Sequence, residues 1–248
     1  MLLGAHPARQ FWRDLGRRMP TPSAVVVVSA HHKHPYVQVS ADPSPATVHD
    51  FVGFPAVLGE TVYPAPGAPE LALKLSEAIS RAHPALPVRA VARRGLDHGA
   101  WVPLLELLPR ADVPVVQVSL LTDGADPRLL PERHLGLGAV LGAALPDGVL
   151  LIGSGSLTHA VPERSQTGCT PGWVQDFRQW LHEAIAREDI DTLLAYRSYA
   201  PYAARNHPTP EHLMPLFVLL GTFGIAGARP LHESVMHDVL AMDAYGWD

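Results

Sequence analysis

The chain has 248 residues, 47% hydrophobic and 17% charged, with 24 acidic against 19 basic side chains and a formal charge of −5. These proportions suit one compact domain and exclude a disordered chain or a collagen-like repeat. With acid in excess there is no basic stripe for a phosphate backbone, so nucleic acid is not an expected partner.

Taken in order, Ala8 to Met19 has helical spacing, with Phe11, Trp12 and Leu15 on one face and Pro20-Thr21-Pro22 as its stop. Ala24 to Ser29 (AVVVVS) is a continuous β-branched run, the pattern of a strand buried on both faces, and it empties into Ala30, His31 and His32. A helix is predicted from about Ala68 to Ala82 and a strand at Val88 to Val91. The loop RRGLDHGAW carries His98, and a strand follows from Pro114 to Leu120. A helix from about Pro131 to Ala144 leads to the apolar strand Gly148 to Gly153, which opens into SGSLTHAV. Helices follow from about Gly172 to Ala186 and Ile190 to Arg197. Helices alternating with buried strands predict an α/β fold with helices on both faces of a sheet, whose ligands sit beyond the carboxyl ends of the strands.

The single cysteine, Cys169, cannot form an internal disulfide, and the start of the chain lacks the charged-then-apolar form of a signal peptide, so a reducing cytoplasm is the expected compartment. The longest uncharged stretch, Leu213 to Ala228, has 16 residues with three glycines and a proline. That is short of the roughly 20 a membrane helix needs and reads as a buried helix followed by a turn, with no membrane partner.

Histidine is the informative residue, with 14 copies. His31 and His159 each follow one of the two most apolar strands, where neutral imidazoles serve as metal ligands or proton carriers, although each alone is also compatible with an ordinary loop. His32 and His34 read as solvated, and His98 as a loop histidine beside Gly99 and Trp101. In HPTPEH, His207 to His212, Thr209 suits an N-cap and Pro210 the first helical position. His212 is therefore expected in a first helical turn, where the dipole disfavours imidazolium. His49 lies among Phe51 and Phe54, which either pack or line a pocket. Other signatures are excluded: GSGS at Gly153 to Ser156 is not a nucleophile elbow, Gly136, Gly138 and Gly142 miss the dinucleotide spacing, and no phosphate-binding Walker loop is present.

Taken together, VVVVSAH (Val25 to His31), TVHDFVGFP (Thr47 to Pro55), YPAPGAPELA (Tyr63 to Ala72), GLDHGAWVPL (Gly95 to Leu104), PVVQVSL (Pro114 to Leu120), GSGSLTH (Gly153 to His159) and HPTPEH resemble the class III extradiol ring-cleavage dioxygenases, in their DOPA 4,5-dioxygenase-like branch. The likeness runs nearly end to end in the same order. It implies a single three-layer αβα domain over residues 1–248, around a mostly parallel or mixed sheet, and a mononuclear metal site that works with Fe(II) and also takes Zn(II).

By the same resemblance His31 and His212 are metal ligands, His159 is the acid/base histidine and His98 a catalytic pocket histidine. His49, Phe51 and Trp101 are candidates for the substrate pocket, with Trp173 a further candidate wall. Asp50 lies behind or beside the pocket, and Glu211 is the nearby carboxylate should the site use one instead of His212. The implied partners are a catechol-type aromatic and O2, and a dimer is one open option. Family members begin with a strand running into a His-Gly-Ser-Pro segment that supplies another ligand. Met1 stands where that motif would have ended, so a first strand and a first ligand are expected to be missing.

The expected activity is extradiol cleavage of a catechol to a ring-opened semialdehyde. Two other readings stay open: a non-catalytic metal-binding interaction protein of the same superfamily, and a zinc-dependent hydrolase, since imidazole sites suit zinc-activated water.

Overall fold

The computed structural model describes residues 5–50, 59–122, 128 and 130–247. Helix α1 (Pro7–Arg18) leads into β1 (Ala24–His34) and β2 (Val37–Ser40), followed by α2 (Pro69–Ala82), β3 (Val88–Val91), α3 (His98–Leu107) and β4 (Val115–Leu121). Next come α4 (Leu130–Ala144), β5 (Val149–Ser154), α5 (Gly172–Ala186) and three short helices, α6 (Ile190–Leu194), α7 (Tyr196–Tyr199) and α8 (Ala203–Asn206). The buried helix α9 (Met214–Phe223) precedes two small ribbons built from β6 (Arg229–His232), β7 (Val235–Met236), β8 (Leu240–Ala241) and β9 (Ala244–Gly246).

The main sheet has the order β3-β2-β4-β1-β5. β1 pairs in parallel with both β4 and β5, and β2 runs parallel to β3 but antiparallel to β4, so the sheet is mixed, inside a single αβα domain. β1 shows why a continuous β-branched run was required. Val26, Val28 and Ala30 point into the larger core with α2, α4, α5 and α9, while Val25 and Val27 face the layer of α1 and α3 through Trp12, Leu15, Trp101 and Leu104. A strand clothed on both faces cannot alternate polar and apolar residues.

Three local expectations are corrected. β1 runs on past Ser29 to His34, so His32 is not solvated: it is 2% exposed, with Nε2 on the Gln38 side-chain amide oxygen Oε1 at 3.2 Å. His98 is not in a loop but is the first residue of α3, capped by the Asp97 carboxylate, which accepts from Ala100 N–H at 3.2 Å. His212 precedes its helix instead of sitting in the first turn. The Thr209 hydroxyl donates to the Glu211 carboxylate at 3.0 Å, a tight turn closes from Leu213 N–H to the Pro210 carbonyl, and α9 starts only at Met214. The sequence also hid β2, and Ala195 separates α6 from α7 where one helix was expected. Among the described residues, no helix is long and apolar enough to cross a membrane.

Candidate active site

The site forms where β1 leaves the ladder. Ser29 lies opposite Ser119 of β4, but the next pair is Lys33 with Leu120, so Ala30, His31 and His32 form an irregularity that lifts His31 out of the regular pleat. On the other side, pairing with β5 ends at Ser29 and Ser154, and the GSGS loop then turns away toward His159.

Four histidines from four segments converge here. The His31 ring centroid lies 3.8 Å from that of His98 and 5.0 Å from that of His212, and His212 stacks on His159 with centroids 3.3 Å apart. Asp50 joins them. Its carboxylate accepts from His98 twice, at 2.7 Å from Nδ1 and 3.0 Å from the backbone N–H, and one ligand atom from each of His31, Asp50 and His98 lies within 4.8 Å of the others.

The loops are sewn together by backbone. Ser156 N–H donates to the His212 carbonyl at 2.9 Å and His159 N–H to the Asn206 carbonyl at 2.8 Å, while the buried His207 ring donates from Nε2 to the Leu157 carbonyl at 2.8 Å. Gly155 is required at this seam, because a Cβ there would lie 2.2 Å from the His212 carbonyl oxygen. Gly155 of GSGS thus admits the HPTPEH backbone, and Gly153 admits the Pro215 carbonyl and the Leu219 side chain of α9.

Burial and mutual repulsion shape the electrostatics. Desolvation, followed by the positive forms of His98 and His212, pushes the His31 pKa down to about 4. Desolvation and then His212, His207 and His31 take His159 to about 3. Burial alone would raise the Asp50 carboxyl, but its hydrogen bonds from His98 outweigh this and hold it at about 2. Burial likewise raises Glu211, and it is overcome by His212, Lys33 and the Thr209 hydroxyl, so its net pKa is lowered. The Lys33 ammonium sits 3.3 Å from Glu211. At neutral pH His31 and His159 are therefore uncharged imidazoles beside the ionised Asp50 and Glu211 carboxylates, donor types that suit a divalent metal. His212 tests the fit directly: it is 8% exposed, and neither ring nitrogen has a hydrogen-bond partner. Buried polar atoms left unpaired are costly, and a metal ion would satisfy one of them.

The candidate pocket residues spread differently. His49 Nε2 donates to the Thr61 carbonyl at 2.9 Å, and its ring meets the wholly buried Trp101 edge to face at 5.8 Å. Trp101 Nε1 donates to the Val48 carbonyl at 3.0 Å, which ties this segment to α3. Phe51 and Phe54 lie outside the described residues. Trp173 packs in a separate small cluster, under the Arg205 guanidinium. Sequence reasoning missed the buried Asp97, whose only signal was an Asp directly ahead of an apolar run, as an N-cap would be.

A mixed α/β sheet that gathers histidines and carboxylates at its strand ends is an architecture suited to a metal-dependent enzyme. The family described as the catalytic LigB subunit of aromatic ring-opening dioxygenase matches residues 6–246, and the chain belongs to it. The chain is 36% identical over 228 residues to a 4,5-DOPA dioxygenase extradiol of Beta vulgaris, covering 90% of this chain and 82% of that protein. It is 35% identical over 226 residues to a protein of the same description from Escherichia coli, covering 89% and 79%. The crystal structure of an uncharacterized protein from Escherichia coli K12 superposes with a TM-score of 0.78 at 28% identity, covering 98% of this chain and 93% of that one. These likenesses support an extradiol dioxygenase, in a metal-dependent family whose reaction takes a small aromatic substrate and O2.

Proposed function

We propose that this chain, acting as one domain, cleaves a catechol-type ring with O2 next to its two hydroxyls and releases a ring-opened semialdehyde. The observation that carries the reading is the convergence of His31, His98, His159 and His212 at one point beyond β1 and β5. His31 and His212 would hold the metal, Fe(II) for turnover with Zn(II) as an inactive occupant, and a bound Fe(II) supplies the redox chemistry that brings a chelated catechol and O2 to reaction.

The chain's own groups do the rest. His159, held neutral by burial and stacked beside His212, accepts a proton from a substrate hydroxyl as the ring binds, and the same burial favours its return later. Asp50 accepts from His98 Nδ1, and since an ionised carboxylate only accepts, that nitrogen carries the proton and the ring's orientation toward the site is fixed. His49 and Trp101 flank this corner as pocket residues, with Phe51 next in the chain after Asp50. A reducing cytoplasm, which preserves Fe(II), accords with the exposed free thiol of Cys169.

The test is oxygen uptake with a panel of catechols after anaerobic loading with Fe(II), read together with the visible absorbance of the opened ring. Stoichiometric O2 consumption with one of them is expected. Iron-loaded protein that consumes none overturns the reading, as does ester or amide hydrolysis supported by Zn(II) without O2.

A further inference from the structure

Asp97 is wholly buried, yet its carboxylate receives four hydrogen bonds from four parts of the chain. Oδ1 accepts from the Ser29 hydroxyl of β1 at 2.7 Å and from Ala100 N–H of α3 at 3.2 Å. Oδ2 accepts from Gln117 Nε2 of β4 at 2.8 Å and from Arg94 Nη2 at 3.2 Å. Asp97 N–H closes the ring by donating to Gln117 Oε1 at 3.1 Å. Capping a helix needs one acceptor at a half-exposed position, and a buried carboxylate is costly unless fully paired, so capping alone does not account for this arrangement.

The network ends on the site. His31 N–H donates to Ser29 Oγ at 3.1 Å, and Arg94 Nη2 reaches the His31 carbonyl at 3.5 Å, so both backbone groups of His31 lie one residue away from Asp97. They are gripped inside the irregular stretch where the ladder with β4 gives no support. On its other side Asp97 is bonded covalently to His98. Gly99 keeps the parts in register, since a Cβ there would meet Ser29 Oγ at 2.2 Å and His31 Cδ2 at 3.3 Å.

We infer that Asp97 is a positioning residue that sets the approach of the His31 and His98 rings, acting through Ser29 and Arg94 on one ring and through the start of α3 on the other. It touches no reacting atom. The inference rests on the reading above only in treating His31 and His98 as site residues. Asp97→Asn keeps the shape but turns an N–H₂ toward one of two pairs of donors, so one side of the grip opens whichever way the amide lies.

The experiment follows the imidazole nitrogens of the metal-free, 15N-labelled protein by long-range 1H–15N NMR. In Asp97→Asn the His31 and His98 signals are expected to move while those of His134 and His182, whose hydrogen bonds go to residues outside this network, stay. In Ser29→Ala the His31 signals move most. Iron-loaded Asp97→Asn should lose about 10- to 100-fold in kcat, whereas Leu75→Ala, a core change far from the network, should lower thermal stability without moving the two signals. Unmoved His31 and His98 signals in both variants overturn the inference, and so does an equal shift of all four histidines. If Asp97→Asn does not fold, Ser29→Ala decides. Wild-type protein that turns over no catechol sinks the ring-cleavage reading and leaves the NMR result to judge Asp97.

Discussion

Two clusters in this molecule use the same side chains to opposite ends. Behind the C-terminal ribbons, the Asp243 side chain is wholly buried and accepts from Arg178 twice at 2.8 Å, from His182 Nε2 at 3.1 Å and from Ser234 N–H at 3.1 Å, while His182 Nδ1 takes the Tyr245 hydroxyl. Each group is spent on another, and the result is a clasp that ties β9 and its approach to α5. At the strand ends, by contrast, His212 has two buried nitrogens without a hydrogen-bond partner, Nδ1 lying 3.8 Å from a Glu211 carboxylate oxygen, and its ring stacks against a second imidazole. A histidine cluster closed on itself is structure; one left open is paid for by the rest of the fold and marks where a ligand belongs.

The largest expected effects test the open cluster. His159→Ala should lower turnover by about 10³-fold, within the usual range for loss of an acid/base group, while retaining metal. His212→Ala should lose the metal along with the activity. Metal content by atomic emission beside oxygen uptake separates the two, and equal metal loss in both variants would make His159 a ligand. The closed cluster should respond in the other currency. Asp243→Ala leaves the mostly buried Arg178 with only the exposed Glu233 at 3.4 Å and should cost about 3 kcal/mol of stability in urea unfolding, with metal binding unchanged in the folded protein.

The two clusters also differ in how far they could be seen in the sequence. His31 and His159 were legible because each follows an apolar run, and a strand buried on both faces leaves a pattern that composition alone exposes. The family motifs drew His98 and His212 to the same place. Their backbone settings were misjudged for local reasons: α3 is apolar nearly all round and holds Pro103, so it lacks an amphipathic signature, and Thr209 spends its hydroxyl on Glu211 instead of capping a helix. His32 was misplaced because the continuation of β1 past Ser29 depends on Gln38 and on the irregular pairing with β4. The network around Asp97 was hidden for a more general reason. Its side-chain partners Ser29 and Gln117 lie 68 and 20 residues away, and no periodicity records such bonds.

His134 extends the comparison to pH. It is buried with both nitrogens used: Nδ1 donates to the Leu130 carbonyl at 2.7 Å and Nε2 accepts Leu121 N–H at 3.1 Å. Burial lowers its pKa from 6.5 to about 4. Above pH 6.5 it is neutral in both states and its contribution is intact. As pH falls below that value the unfolded chain gains a proton that the folded chain does not take until about pH 4, so stability is lost across this window. The loss from this group between about pH 7.5 and 5 should be about 2 kcal/mol. It should be missing from the pH dependence of His134→Gln, whatever the variant's stability at neutral pH. An unchanged slope would show that His134 is not held neutral.

The smallest effect should come from Asp50, where the open and closed modes meet in one side chain. Toward His98 it behaves as Asp243 does toward His182, accepting from a ring N–H at 2.7 Å. Yet it is half-exposed and belongs to the group of ligand atoms within 4.8 Å of one another. Asp50→Asn preserves an acceptor for His98 Nδ1 and removes only the charge, so the tautomer and ring position should survive. If Asp50 only orients His98, kcat/KM should fall by about tenfold, the low end for loss of a supporting partner, with metal content unchanged. If the carboxylate instead binds the metal alongside His31, metal content should fall with activity, because a neutral amide is a far weaker ligand for a divalent ion than a carboxylate. Metal stoichiometry of this one variant therefore decides whether the carboxylate serves the imidazole beside it or the ion in front of it.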